Sequence, residues 1–125
     1  MSSDVMSALE RATEGMVFLS ETDAPFHALR WKTAGAEPTA KQVLALGHHD
    51  AGTKVQELSL DEFLGAYAEG DDEDAKRYQN LLKVLREHLT GVRVFKVGRV
   101  NLDVYVLGRT KEGDWAGVQT KAVET

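Results

Sequence analysis

Val100-Asn101-Leu102-Asp103-Val104-Tyr105-Val106-Leu107 is the stretch whose pattern decides the fold. Val100, Leu102, Val104 and Val106 alternate with Asn101, Asp103, Tyr105 and Leu107. That period suits a strand, whose successive side chains point to opposite faces. Upstream, Val92 to Val97 is strand-like and Gly98-Arg99 makes a turn; downstream, Gly108 to Asp114 reads as a loop and Trp115 to Val123 as a final strand. Strands joined by such short connections predict an antiparallel meander.

Further toward the N-terminus the period becomes helical. From Asp72 to Leu89, the residues Tyr78, Leu81, Leu82, Leu85 and Leu89 form one apolar stripe. Asp71 to Asp74 sit at the positive end of that helix dipole, Lys83, Arg86 and His88 toward its negative end, and Gly91 is the expected stop. Ser3 to Glu14 reads as another helix, with Val5, Leu9, Ala12 and Met16 on one face and Gly15 at its end. Thr39 to Leu46, closed by Gly47, and Leu60 to Tyr67 read as shorter ones. Between them lie the apolar run Met16 to Ser20, a polar turn Glu21 to Pro25, a strand Phe26 to Trp31, a loop His48 to Gly52 and a short strand Lys54 to Leu58. Helices that precede a meander cover its faces. The expectation is therefore α+β: one domain, 1–125, built as a three-layer α/β/α sandwich with a C-terminal antiparallel strand meander.

Length and composition agree. The chain of 125 residues is the size of one domain and can bury roughly two-thirds of its unfolded surface. It has no cysteine, which excludes disulfides, zinc-thiolate and iron–sulfur sites and thiol catalysis. No apolar run approaches the ~18 residues a membrane span needs, and the N-terminus lacks the basic start and apolar stretch of a signal peptide. A cytoplasmic protein with no membrane partner is expected. The net charge of −5 argues against direct nucleic-acid binding, which needs clustered Lys and Arg, and fits a basic partner.

The acids are unevenly spread. Between Val55 and Ala75 stand Glu57, Asp61, Glu62, Glu69, Asp71, Asp72, Glu73 and Asp74, without a single Lys or Arg. They read as a solvated surface with a well-capped helix start, or as a docking face for a cationic partner. Catalytic signals are weak by comparison. His48-His49-Asp50 offers two imidazoles and a carboxylate in a loop, a poor metal set that leaves a small hydrolase as a remote reading. The glycines make no phosphate loop, no Gly-x-Ser-x-Gly occurs, and Ser20 beside Glu21 has no nearby histidine to act as its base. The residues alone give an enzyme no positive support.

Two segments carry more information. One is Gly15-Met16-Val17-Phe18-Leu19-Ser20-Glu21-Thr22-Asp23-Ala24-Pro25-Phe26, followed by Trp31. The other is Val100 to Thr110 with Ala116-Gly117-Val118-Gln119-Thr120-Lys121-Ala122-Val123-Glu124-Thr125. Together, and in the order of the elements between them, they resemble the nuclease A inhibitor family over nearly the whole chain. Ala24, where the family has a larger aromatic residue, and Lys32, where it has an acid, depart from the pattern.

The resemblance implies a single α/β/α sandwich that inhibits sugar-non-specific nucleases of the ββα-metal class, enzymes that cut DNA and RNA with one catalytic Mg²⁺. It implies that a turn glutamate and the C-terminal threonine enter the nuclease site; by motif these are Glu21 and Thr125, with Glu124 beside the latter. Mg²⁺ favours hard oxygen ligands. Thr125 brings a hydroxyl and, as the last residue, a carboxylate, and the Glu21 carboxylate can take the place of a scissile phosphate. Trp31 is a candidate contact anchor, Trp115 a core residue. The expected protein is a monomeric inhibitor, not an enzyme. It needs no cofactor when free and shares the nuclease's Mg²⁺ in the complex. The alternative is an acidic interaction module of the same fold with a different partner.

Overall fold

The computed structural model describes residues 2–19, 23–31, 39–47, 49–50, 52–111 and 113–123. Its elements are α1 (Ser2–Thr13), β1 (Val17–Leu19), β2 (Asp23–Pro25), β3 (His27–Trp31), α2 (Ala40–Leu46), β4 (Val55–Ser59), α3 (Leu60–Leu64), a 3₁₀ turn Gly65–Ala68, α4 (Glu73–His88), β5 (Thr90–Val97), β6 (Asn101–Arg109) and β7 (Trp115–Val123). The strands β3-β7-β6-β5-β4, in that order, form one sheet whose neighbours are all antiparallel. β1 and β2 make a separate two-stranded sheet. The α+β class and the C-terminal meander stand as the alternating sequence predicts. No helix among the described residues is long and apolar enough to cross a membrane.

The alternation along β6 becomes two cores. Leu102, Val104 and Val106 pack with Val94 of β5 and Val118 of β7 beneath α1, α3 and α4, which contribute Leu9, Leu64, Leu81 and Leu85, all fully buried. Tyr105 and Leu107 face the other way and join Phe95, Val97 and the Val43 and Leu44 side chains of the seven-residue α2. Among the described residues, the first core draws on α1, α3 and α4 and the second on α2.

The helix ends follow from local chemistry. At α4 the Asp72 carboxylate accepts the Ala75 N–H at 2.7 Å, with Glu73 and Asp74 in the first turn and Arg86 and His88 in the last. Ser59 and Glu62 form a reciprocal capping box at α3, with bonds of 3.0 and 3.1 Å. The Ser59 hydrogen bonds hold the Glu62 carboxyl below its ordinary range.

Several boundaries differ from expectation, among them α3, which ends at Leu64 and passes into a 3₁₀ turn rather than running to Tyr67, and β5, which begins at Thr90 rather than Val92. Asp23, Ala24 and Pro25 lie in a strand against β1 rather than in a turn. Gly91 does not stop α4. Leu89 does, by adopting an extended conformation with its N–H on the Leu85 carbonyl, and Gly91 instead uses φ +61° where the β5–β6 register shifts. Gly108 and Arg109 extend β6, so the loop shrinks to Thr110–Asp114, closed by the Thr110 N–H on the Asp114 carbonyl at 2.8 Å.

Each core holds a tyrosine whose phenol is pushed up to about 12. Burial is the main cause at both, reinforced by Tyr67 and Asp74 at Tyr78 and by Asp103 at Tyr105. A phenol raised in the folded state keeps a proton that the unfolded chain releases, so its contribution is whole below the ordinary value near 10 and lost between there and about 12. The urea midpoint should hold steady to about pH 9 and fall as pH climbs past about 10. A midpoint that stays level to about pH 11.5 would contradict this.

Candidate functional site

The geometry of interest begins where β2 runs through Phe26 into β3. β3 pairs with β7 from His27↔Gln119 to Trp31↔Trp115. Followed back from His27, the chain lies beside the C-terminal part of β7. The Thr120 hydroxyl bridges the two, donating to the Pro25 carbonyl at 3.0 Å and reaching the Ala24 carbonyl at 3.4 Å. Leu19 is the cross-strand partner of Asp23, and Asn101 that of Val123. Leu19, Asp23 and Val123 therefore lie at one end of the molecule, together with the β5–β6 turn, where Val100 is 48% exposed.

Glu21, Glu124 and Thr125 lie outside the described residues. Their nearest described neighbours, Leu19 and Asp23 for one and Val123 for the others, share that end. Lys32 also lies outside. Ala24 is buried at 8% exposure, which suits its small side chain.

Trp31 is placed elsewhere. It opposes Trp115 at the start of β7, eight residues before Val123, or roughly 26 Å along a strand. Its ring packs on Tyr105 at 5.6 Å, and its neighbour Arg30 binds Asp114 through Nε at 3.0 Å. Trp115 is fully buried, as a core residue should be.

His49 packs on the second face, with Nε2 2.8 Å from the Tyr105 hydroxyl and 3.7 Å from Asp103 Oδ2. Asp50 is exposed, and His48 lies outside the described residues. Among the described residues no three His, Asp or Glu side chains gather to hold a metal ion.

The acidic stretch divides in two. Glu57 pairs with Arg93 at 3.4 Å, Asp61 with Arg86, and Glu62 and Asp72 serve as capping groups. The other four, Glu69, Asp71, Glu73 and Asp74, gather at and just before the start of α4. That end of the helix lies by the β1–β2 sheet, since Arg77 donates to the Gly15 carbonyl at 3.1 Å and Tyr78 meets Phe26 edge-on. α4 ends at Leu89, where β5 begins level with Arg109 and Trp115. The four acids accordingly share the end that carries Asp23 and Val123.

Sequence reasoning passed over Thr120. Its one signal was a hydroxyl at an apolar-face position of β7, between Val118 and Ala122.

In comparison with known families, the family model described as nuclease A inhibitor-like protein aligns with residues 3–125. No curated protein matches the chain.

Proposed function

Since the chain belongs to the nuclease A inhibitor-like family, we propose that it inhibits a sugar-non-specific DNA/RNA nuclease by presenting Glu21 and Thr125, with Glu124, to the enzyme's Mg²⁺ site. The observation that carries this reading is the shared end of Leu19, Asp23 and Val123, which lets one cleft receive both arms. The donor set suits the metal: carboxylate and hydroxyl oxygens are the hard ligands Mg²⁺ accepts. The Mg²⁺ belongs to the target, and the inhibitor needs no cofactor of its own. Glu21 brings the compact negative charge of a phosphate without a bond the nuclease can cut. The reading assigns Trp31 to the packing of the second face, because its ring lies on Tyr105 at the far end of the sheet.

Glu69, Asp71, Glu73 and Asp74 favour a second, compatible element. Acids on the same end speed encounter with a cationic rim without setting the final contacts. The association rate should then fall as salt rises, while retention of the bound enzyme follows Mg²⁺.

Glu21→Gln tests the plug. Removing one charge from a desolvated contact costs about 2–5 kcal/mol, so inhibition should weaken by roughly 30-fold or more. The measurement is the inhibition constant on plasmid DNA in Mg²⁺, with circular dichroism as the control for folding. Co-precipitation of the nuclease should succeed in Mg²⁺ and fail in EDTA. An inhibition constant unchanged by Glu21→Gln removes the phosphate-mimic step.

A further inference from the structure

We infer that Thr120 is the positioning residue that holds the two arms of the plug in register. The inference rests on the proposed plug and goes beyond it to say what fixes its geometry. In sequence Glu21 falls between β1 and β2, and Thr125 comes after β7. Those strands belong to different sheets, so no ladder of backbone hydrogen bonds joins β2 to β7. The Thr120 hydroxyl supplies a link in its place. It is 2% exposed and donates to the Pro25 carbonyl at 3.0 Å, with the Ala24 carbonyl at 3.4 Å.

Thr13, Thr110 and Thr120 are the buried threonines among the described residues, and each closes a joint. Thr13 returns to the Leu9 carbonyl within α1 at 2.8 Å, and Thr110 accepts the Asp114 N–H within the β6–β7 loop at 3.2 Å. Both are local contacts. Thr120 alone of the three reaches across the fold, to residues 95 and 96 positions earlier. A hydroxyl on an otherwise apolar face costs desolvation unless it is bonded. Here its bond falls on the strand that leads back to residue 21.

Geometry matters because two donors must meet one metal site together. A shift of β2 against β7 leaves each arm able to bind but not both at their best. Thr120 acts through Glu21 and Thr125 and touches no nuclease atom itself.

The test separates this role from plain stability. Thr120→Val keeps the shape and removes the hydroxyl; Thr120→Ser keeps the hydroxyl and opens a methyl-sized gap. Inhibition of a sugar-non-specific ββα-metal nuclease, assayed on plasmid DNA in Mg²⁺, should weaken about tenfold for Thr120→Val. Thr120→Ser should inhibit within about twofold of wild type even where it melts lower. The order of inhibition would then run against the order of stability. If Thr120→Val does not fold, Thr120→Ala replaces it, since Ala and Ser lack the same methyl and differ in the hydroxyl.

A double-mutant cycle gives the second readout. Glu21→Gln and removal of residues 124–125 should be strongly coupled in the wild-type background and nearly additive with Thr120→Val. Inhibition that merely tracks melting temperature, or unchanged coupling, overturns the inference while Glu21→Gln still weakens the wild type. If Glu21→Gln has no effect in the wild type, the plug itself fails, and the positioning role fails with it.

Discussion

Removing Glu124 and Thr125 is expected to abolish inhibition and leave the fold intact. The β6–β7 ladder runs through nine register pairs and closes at Asn101↔Val123. The last buried side chain of β7 is Ala122, at 2% exposure. A chain cut after Val123 therefore keeps every core residue and every sheet partner described, and its urea midpoint should match the full chain within error. Inhibition should behave differently. The cut deletes the hydroxyl and carboxylate oxygens assigned to the metal, and a bound metal deprived of protein ligands regains water at once. The loss should exceed that of Glu21→Gln and reach roughly a few thousandfold, the upper range for truncating one side of a buried charged contact. The measurements are paired: an inhibition constant on plasmid DNA in Mg²⁺ and a urea melt of the same sample. Full inhibition by the cut chain would sink the plug, whatever its stability.

Most of the fold could be read from residues whose pattern serves a single purpose. β6 was legible because Asn101 and Asp103 alternate with Val100, Leu102 and Val104, after which the run turns apolar on both sides as each face meets a core, Val106 on one and Tyr105 and Leu107 on the other. α4 was legible because its stripe has one target and its ends carry opposite charges. The reading Leu60 to Tyr67 had the start of α3 right and ran past its end, since the helix stops at Leu64 and a 3₁₀ turn follows; the Ser59–Glu62 capping box is a signal that reading did not use. Reading failed where a residue's usual meaning was overridden by a distant partner. Gly91 looks like a helix stop, but the helix had ended at Leu89 and the positive φ was needed for a bulge. Asp23-Ala24-Pro25 looks like a turn, and it pairs with β1 because the fold closes a small sheet there. Trp31 was a candidate contact anchor, yet β3 sets it opposite Trp115, at the other end of β7 from Val123. The acidic stretch illustrates the same limit. Its composition cannot distinguish Asp61 and Glu57, which are paired with arginines, from the acids gathered at the start of α4. Thr120 was missed for the plainest reason: the carbonyls it binds lie more than ninety residues away.

Gly117→Ala is expected to destroy the native sheet. Gly117 sits inside β7, opposite Leu107 of β6 on one side and Leu29 of β3 on the other. A Cβ built on it would stand 1.7 Å from the Val106 carbonyl oxygen, 2.8 Å from that carbonyl carbon and 3.1 Å from Leu107 Cα. All three are backbone atoms, so no side chain can turn aside to relieve the clash. β6 would have to move bodily away from β7, and the flanking residues forbid it: Ala116 and Val118 are fully buried, as are Val106 and Leu107. The close approach of the two strands requires glycine. Overpacking a core already costs about 1–3 kcal/mol when side chains can adjust. Here the main chain must yield, and the loss should reach at least the top of that range, a large share of the ~5–15 kcal/mol that holds a domain together. Gly113→Ala is the matched control. Its φ of +91° is strained for alanine, but the added carbon meets nothing within 4 Å, so its cost should stay near 1–2 kcal/mol. Urea melts and the near-ultraviolet dichroism of buried Trp115 report the difference. Gly117→Ala should lack a cooperative transition and the tryptophan signal, whereas Gly113→Ala keeps both; a Gly117→Ala protein that melts within a few degrees of wild type would show that β6 and β7 do not approach this closely. The effect on inhibition also separates the two large predictions. A chain cut after Val123 fails against the nuclease while fully folded, whereas Gly117→Ala fails because the strand that carries the C-terminal arm has lost its partner.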